Sequence, residues 1–574
     1  MAGSGWFYNS AVVMGVLSLV VLASSNLRAQ DAAIGNSPLS QAASSAVMNV
    51  GTSGYVGNAA CARCHASIYE SYESTAMAHA SGPAMDALTP AEFTHKESGV
   101  HYRIYSENGR AWLSFERPGD PEVRGRRELL YYIGSGRRGR SYLFETDGFL
   151  FESPVNWYTD KQVWDMAPAY QTSREMPLNL PAYASCLHCH VSEMQPPAKG
   201  TDNRYPNPPF LHNGVSCERC HGPGAEHVAG GKIVNPEKLS PGRRDEVCMQ
   251  CHMEGKVAIE QPGRHAYEFR PGGELSDYVR YFVLAGSQTQ GLGAVSQVEA
   301  LAQSQCKKKS GDRMWCATCH DPHFSPAAED RVAYYRARCL ACHGSAFAVK
   351  HHPDQPDCVS CHMPASQSSD VAHTEVTDHR ILRRPQVEPQ LLQDPSQEAS
   401  LPKLVPFPAN GNRESNPRDL ALAWESLVES GMSAGESQAQ SLLEKASEKS
   451  PNDPALLSAL GYIEQKHGKA ERARSFYQRA LAIDPDLVDA ASNLAVIEAK
   501  SANSRAAVAL WQRAFQLAPG RSEIGLDLAR EYCLSGKIDE ARDVMLRVLE
   551  FNPDLGAAKG MLRRLNRASP SCEP

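Results

Sequence analysis

The last third of the chain carries an apolar pattern that returns every 34 residues, from Ala439 to Ala473, Ala507 and Ala541. Ala446, Ala480, Ala514 and Val548 recur in step, as do Pro451, Pro485, Pro519 and Pro553. The large residues Leu443, Tyr477, Trp511 and Met545 fall between the small ones. Small residues let two helices approach and proline ends the second, so the pattern predicts four helix pairs over residues 417–570, the first of them degenerate. "GAAKGMLRRLNRA" reads as a helix that caps the stack. Residues 100–165 follow a different rule. "HYRIYSENGRAWLSFER" sets strand-forming residues on both sides of an Asn-Gly turn, and "LLYYIGSGRRGRSYLFETDGFLFESPVNWY" continues with short strands. Near the start, the thirteen apolar residues Ala11 to Ala23 are short for a bilayer span and fit an export signal cut near Ala29. An uncleaved anchor is the other reading, because no Lys or Arg precedes Arg28. Residues 383–416, rich in Pro, Gln, Ser and Asn, predict a linker.

The chain has 574 residues, enough for two to four domains, and a net charge of -7 with no long basic tract, which argues against nucleic acid as a partner. Cysteine changes the picture. Fourteen of the 17 cysteines form seven Cys-x-x-Cys pairs, each followed at once by histidine. They are Cys61, Cys64 and His65; Cys186, Cys189 and His190; Cys217, Cys220 and His221; and Cys248, Cys251 and His252. Cys316, Cys319 and His320, then Cys339, Cys342 and His343, then Cys358, Cys361 and His362 complete the set. Two thiols three apart can add to the two vinyl groups of one porphyrin, and the adjacent imidazole then reaches the iron. Zinc sites do not require a histidine directly after each second cysteine, and a disulfide framework would not place one there seven times. Seven covalent heme c groups are expected.

Apart from these seven histidines and His467, twelve histidines lie between the first motif and residue 380. That supply suits irons bound by two imidazoles. His188 sits inside a Cys-x-x-Cys loop and is expected to be exposed. His227 and His323 follow their own motif histidines too closely to reach round the same porphyrin, so they are expected to serve neighbouring hemes.

"CERCHGPGAEH", "CATCHDPH", "CVSCHMP" and "VAHTEVTDHRI" resemble the multiheme cytochrome c superfamily that includes pentaheme nitrite reductase and hydroxylamine oxidoreductase, and in particular a bacterial group in which such a domain is joined to tetratricopeptide repeats. The resemblance implies second axial ligands at His227, His323 and His379, with His373 and His352 next. The first motif departs from the group: "YESTAMAHA" stands where relatives often carry Trp-x-x-Ser-x-His-Ala, so Met77, His79 and His95 compete for the first iron. No Cys-x-x-Cys-Lys motif is present, so nitrite reduction does not transfer.

"GSGRRG" matches a dinucleotide-binding spacing, but strand residues follow it, and it reads as a hairpin loop. Its arginines, Arg137, Arg138 and Arg140, are either a solvated basic loop or partners for propionates. Cys306 is left over, and Cys533 with Cys572 is a possible disulfide.

The expected fold is mainly α. A multiheme cytochrome c domain spans 58–382, with helices and loops around stacked hemes and a small β-rich insert, and an α-solenoid of tetratricopeptide repeats follows. The expected function is electron transfer outside the cytoplasm, in the bacterial periplasm or beyond, with no membrane span after signal cleavage. The repeats are expected to dock a redox partner protein. The competing reading is an oxidoreductase acting on a small nitrogen or sulfur compound at one open heme.

Overall fold

The Asn-Gly turn forms as the sequence pattern requires. In the computed structural model, strands His101–Glu107 and Arg110–Arg117 pair across Asn108 (φ 52°) and Gly109 (φ 72°), both in the left-handed region that a tight primed turn needs. The structure describes residues 54–168, 170–285, 292–351, 355–369, 371, 374–383, 403–408 and 416–572. The expected signal peptide, His352 and His373 lie outside them.

Ala91–Thr94 and Asp120–Leu129 complete a four-stranded antiparallel sheet around that hairpin. Alternation puts Tyr102, Ile104, Leu113 and Phe115 inside and leaves Arg103 outside. A seven-stranded sheet packs against it through Tyr142, Phe144, Phe151 and Met166. The Gly-Ser-Gly-Arg-Arg-Gly stretch is the loop between Tyr131–Ile133 and Gly139–Thr146, which pair antiparallel.

Every Cys-x-x-Cys-His motif touches a helical turn. The helices concerned are Asn58–Ala62, Ala184–Leu187, Cys217–His221, Pro241–His252, Cys316–Cys319, Arg331–His343 and Cys358–His362. Helical pitch puts cysteines three apart on one face.

The repeat region is four helix pairs and a cap. The pairs are Pro417–Glu429 with Glu436–Lys449, Pro454–Lys466 with Ala470–Ile483, Val488–Lys500 with Ser504–Leu517, and Ser522–Leu534 with Ile538–Phe551; Gly556–Leu565 closes the stack. Ala439, Ala473, Ala507 and Ala541 are wholly buried, and Tyr477 packs where a Cβ on Gly461 would stand 2.6 Å from its ring. Cys533 and Cys572 are joined in a disulfide that pins the tail to the last pair.

One expectation changes. The stretch 383–416 is not linker throughout: Leu404–Phe407 is a strand paired with Val279–Leu284, which also pairs with Val257–Glu260. Its apolar residues complete a core in which Val257, Phe282 and Leu404 meet Leu422, Trp424 and Leu427 of the first repeat helix. The solenoid is therefore held against the rest of the chain, and the edge carrying the proline turns makes many of the contacts. Asp486 lies against Gly200, and Gly520 meets Phe151 and accepts from Asn179 Nδ2 at 3.0 Å. Phe551 enters the β-rich core, and buried Asp554 accepts from Arg117 and from the Met176 amide. At the other end, Asp419, fully buried, takes Gln261 Nε2 at 3.1 Å and faces Arg280 at 3.5 Å. Among the described residues no helix is long and apolar enough to cross a membrane.

One pH effect follows from the first repeat helix. Glu425 and Glu429, one turn apart, hydrogen-bond each other; burial raises both carboxyls, and the charge of Asp489 adds to the rise, taking Glu429 to about 7. A carboxyl whose folded pKa is raised supports the fold while protonated, and that support is lost as pH rises through the folded value. We expect the unfolding midpoint of the solenoid to fall as pH climbs through about 7, and Glu429→Gln to flatten that slope in a denaturant titration.

Candidate functional site

Histidines from distant segments come together in twos. His65 faces His227 with ring centroids 6.4 Å apart and planes 17° from parallel. His221 faces His323 at 5.9 Å and 9°, His320 faces His379 at 6.2 Å and 28°, and His362 faces His351 at 6.2 Å and 23°. Each pair joins one motif histidine to a histidine outside the motifs. Two imidazoles on opposite sides of one metal ion need about 6 Å between centroids, from two metal–nitrogen bonds of about 2 Å and two ring radii. Among the described residues no three His, Cys, Asp or Glu side chains gather as a metal site. Two neutral imidazoles, with thiols three apart beside one of them, are the donor set of an iron whose remaining four ligands are porphyrin nitrogens.

The ring hydrogen bonds sort these histidines from the others. A main-chain carbonyl accepts from Nδ1 of His221 (Val234, 2.8 Å), His227 (Gly231, 3.1 Å), His362 (Leu382, 2.6 Å) and His379 (Thr377, 2.9 Å). A carbonyl can only accept, so Nδ1 carries the proton and Nε2 presents its lone pair, the tautomer a metal requires. His252 Nδ1 lies 3.4 Å from Gln297 Oε1, and His320 Nδ1 lies 3.3 Å from Tyr335 Oη. Burial lowers the pKa of His190, His252, His323 and His379, and takes His320 down to about 4 with help from the charges of His379, His252 and Arg137. Rings held neutral are the rings that can ligate.

The motifs also abut. The thiol of Cys61 lies near that of Cys217, Cys189 near Cys251, Cys248 near Cys316 and Cys339 near Cys358, all of them free. Those contacts set the first motif beside the third, the second beside the fourth, the fourth beside the fifth and the sixth beside the seventh. The charges of Cys220 and Cys251, and of Cys319 and Cys342, act on each other, which relates the third motif to the fourth and the fifth to the sixth. The seven motifs form one connected set that branches at the fourth.

Several residues stand elsewhere than expected. His95 is part of the β-rich core, where Nδ1 meets Ser98 Oγ at 2.9 Å and Nε2 meets the Gln171 carbonyl at 3.3 Å, so neither nitrogen is left for an iron. His79 spends Nε2 on the Glu73 carbonyl at 2.7 Å. The Met77 carbonyl accepts from Val215, close to the third motif, and it is His227 that the structure brings to His65. His188 is buried rather than exposed: helix Ala184–Leu187 packs it against the fourth motif, where the Gln250 carbonyl lies 3.0 Å from Nε2. The resemblance points to His352, and the residue in place is its neighbour His351. The helix Ser345–His351 carries it to His362.

Comparisons with known proteins follow the same division. A model of the family "Cytochrome c554 and c-prime" matches residues 157–222, one of the doubled CXXCH motif matches 309–348, and one of the tetratricopeptide repeat matches 499–565. The multiheme cytochrome MtrA of Shewanella baltica (strain OS185) is 25% identical over 185 residues, covering 29% of this chain and 54% of that protein. The chain thus matches about half the length of that curated relative. Two solved structures of MamA are 19% and 17% identical, cover 24% and 27% of this chain and 77% and 80% of theirs, each with a TM-score of 0.22. Cytochrome matches in the first part of the chain and a repeat match in the last support a multiheme c-type cytochrome joined to tetratricopeptide repeats.

Proposed function

We propose that this cytochrome carries seven hemes, works outside the cytoplasm and passes electrons along the connected motifs. The observation that carries the reading is the four paired imidazoles. In this reading His65 and His227 ligate the first heme, His221 and His323 the third, His320 and His379 the fifth, and His362 and His351 the seventh. His190, His252 and His343 ligate the second, fourth and sixth from one side. When bound, each heme supplies one-electron exchange. The chain's residues fix the axial imidazoles, exclude water and set the spacing.

The second ligand of each paired iron comes from a segment that follows another motif. His227 follows the third motif and serves the first; His323 follows the fifth and serves the third. Such interlocking holds neighbouring porphyrins close, as fast transfer requires. The solenoid, fixed along one edge to its own chain, keeps its other faces for a redox partner protein. Intact mass with pyridine hemochrome tests the count. Seven thioether-linked hemes per chain support the reading, and four or fewer contradict it.

A further inference from the structure

A cavity of about 150 Å³ lies between the second and third motifs, and none of the paired histidines is in its wall. Arg219, the residue before Cys220, lines it together with His188, Ser192, Glu193, Tyr267 and Arg270. Arg219 is 3% exposed, and its Nε and Nη2 have no hydrogen-bond partner among the described residues. Arg270 Nη1 donates to the main-chain carbonyls of Tyr267 at 3.3 Å and Phe269 at 3.2 Å, and its guanidinium stands 5.3 Å over the Tyr55 ring. Neither arginine forms an ion pair with a carboxylate among the described residues. The carboxylates of the wall are engaged elsewhere. Glu193 faces His212 Nε2 at 3.5 Å, and Glu268 accepts from the His265 amide at 2.7 Å and faces Arg264 at 3.5 Å.

The backbone fixes Arg219 in this position. Its amide donates to the Ser216 carbonyl at 3.0 Å, and its carbonyl accepts from Gln250 Nε2 at 3.3 Å. Glu218, fully buried, ties down the same turn, because its carboxylate accepts from the amides of Val56, Gly57 and Gly224, each at 2.8 Å. The other polar groups of the wall are spent. Ser192 Oγ donates to the Gly214 carbonyl at 3.0 Å, and the His188 ring nitrogens face the carbonyls of Ser185 at 2.6 Å and Gln250 at 3.0 Å. A buried guanidinium without a counter-ion is costly. Nε and Nη2 lie on one edge of the guanidinium plane, and two N–H groups side by side match the two oxygens of a carboxylate. The cavity has the volume of about five waters at about 30 Å³ each, room for a carboxylate of a few atoms and far too little for a porphyrin.

We propose that this cavity is a binding site for a small free carboxylate, held two-pronged by the Nε and Nη2 edge of Arg219, with Arg270 supplying the second positive charge. The anion sits beside the third motif and touches no iron, so the site stands whichever histidines ligate the hemes.

The test is a calorimetric titration of the heme-loaded full chain with sodium formate in low-chloride buffer, followed at the same time by heme absorption. One formate per chain should bind saturably while the heme spectrum stays unmoved. Arg219→Gln should weaken binding by about tenfold or more, the effect of losing a charge-assisted pair of hydrogen bonds. Met194→Trp keeps both charges and fills the space, and should abolish binding. Should Arg219→Gln lose its hemochrome, Met194→Trp and Arg270→Gln decide, and undiminished binding in both would overturn the proposal. No saturable uptake by the parent chain would also overturn it, since the guanidinium is then served within the loaded protein. Chloride cannot use the two-pronged edge, so chloride binding as tight as formate would remove the carboxylate from the proposal. Uptake that shifts the heme spectrum and survives Arg219→Gln would place the anion on an iron and overturn it as well.

Discussion

His323→Ala should turn one heme, and only one, from low-spin to high-spin while all thioether-linked heme is retained. The His323 ring lies 5.9 Å from that of His221 and within 9° of parallel, so in the proposed ligation the third iron would lose its second imidazole in the variant. Covalent attachment through Cys217 and Cys220 does not depend on His323, and hemochrome content should not change. The segment that presents His323 has its own anchors. Ser71 Oγ donates to the His323 carbonyl at 2.8 Å, and Asp321 accepts from the His323 amide at 2.9 Å. The backbone should therefore hold its place without the ring, leaving a space that added imidazole can enter. Rescue of the low-spin spectrum by imidazole is expected. A variant with the parent's spin state would show that His323 does no ligation.

Phe551→Ala should cost about 3–5 kcal/mol, the range for deleting a buried aromatic side chain. Phe551 is 1% exposed and sits with Phe149 and Phe151, at 6.4 and 5.5 Å between centroids, although it closes the last helix of the repeats. The residue thus belongs to two domains at once. Its loss should lower the denaturation midpoint of the helical signal and speed proteolysis between the strand Leu404–Phe407 and the first repeat helix. Asp554→Asn should cost less, about 3 kcal/mol, because Arg117 loses a buried partner but keeps Asp120. If both substitutions change stability by less than about 0.5 kcal/mol, as exposed positions do, the solenoid is not packed on the β-rich insert.

What the sequence makes legible here is what local geometry determines. Asn108-Gly109 can only be a tight turn, the 34-residue period can only be a stack of paired helices, and cysteines three apart can only share a helical face. What it leaves open depends on contacts between distant segments. Twelve histidines are candidates for a second ligand, and nothing local says that His227 meets His65 while His95 turns into a β core. Nearness in sequence misleads as well. His351 and His352 are equivalent on composition, and nothing local says that His351 meets His362. The strand Leu404–Phe407 hides in a stretch whose average composition is that of a linker, because four residues are enough for an edge strand. Phe551 and Asp554 flank the repeated Pro553, and their role in fastening the solenoid appears only when the partner surface is folded beside them.

Low-temperature EPR of the oxidised full chain, quantified against hemochrome, tests the central claim most directly. Four imidazole pairs predict at least four low-spin ferric hemes per chain of the two-imidazole type. A spectrum dominated by high-spin iron, or one with fewer than four such hemes, would contradict the account.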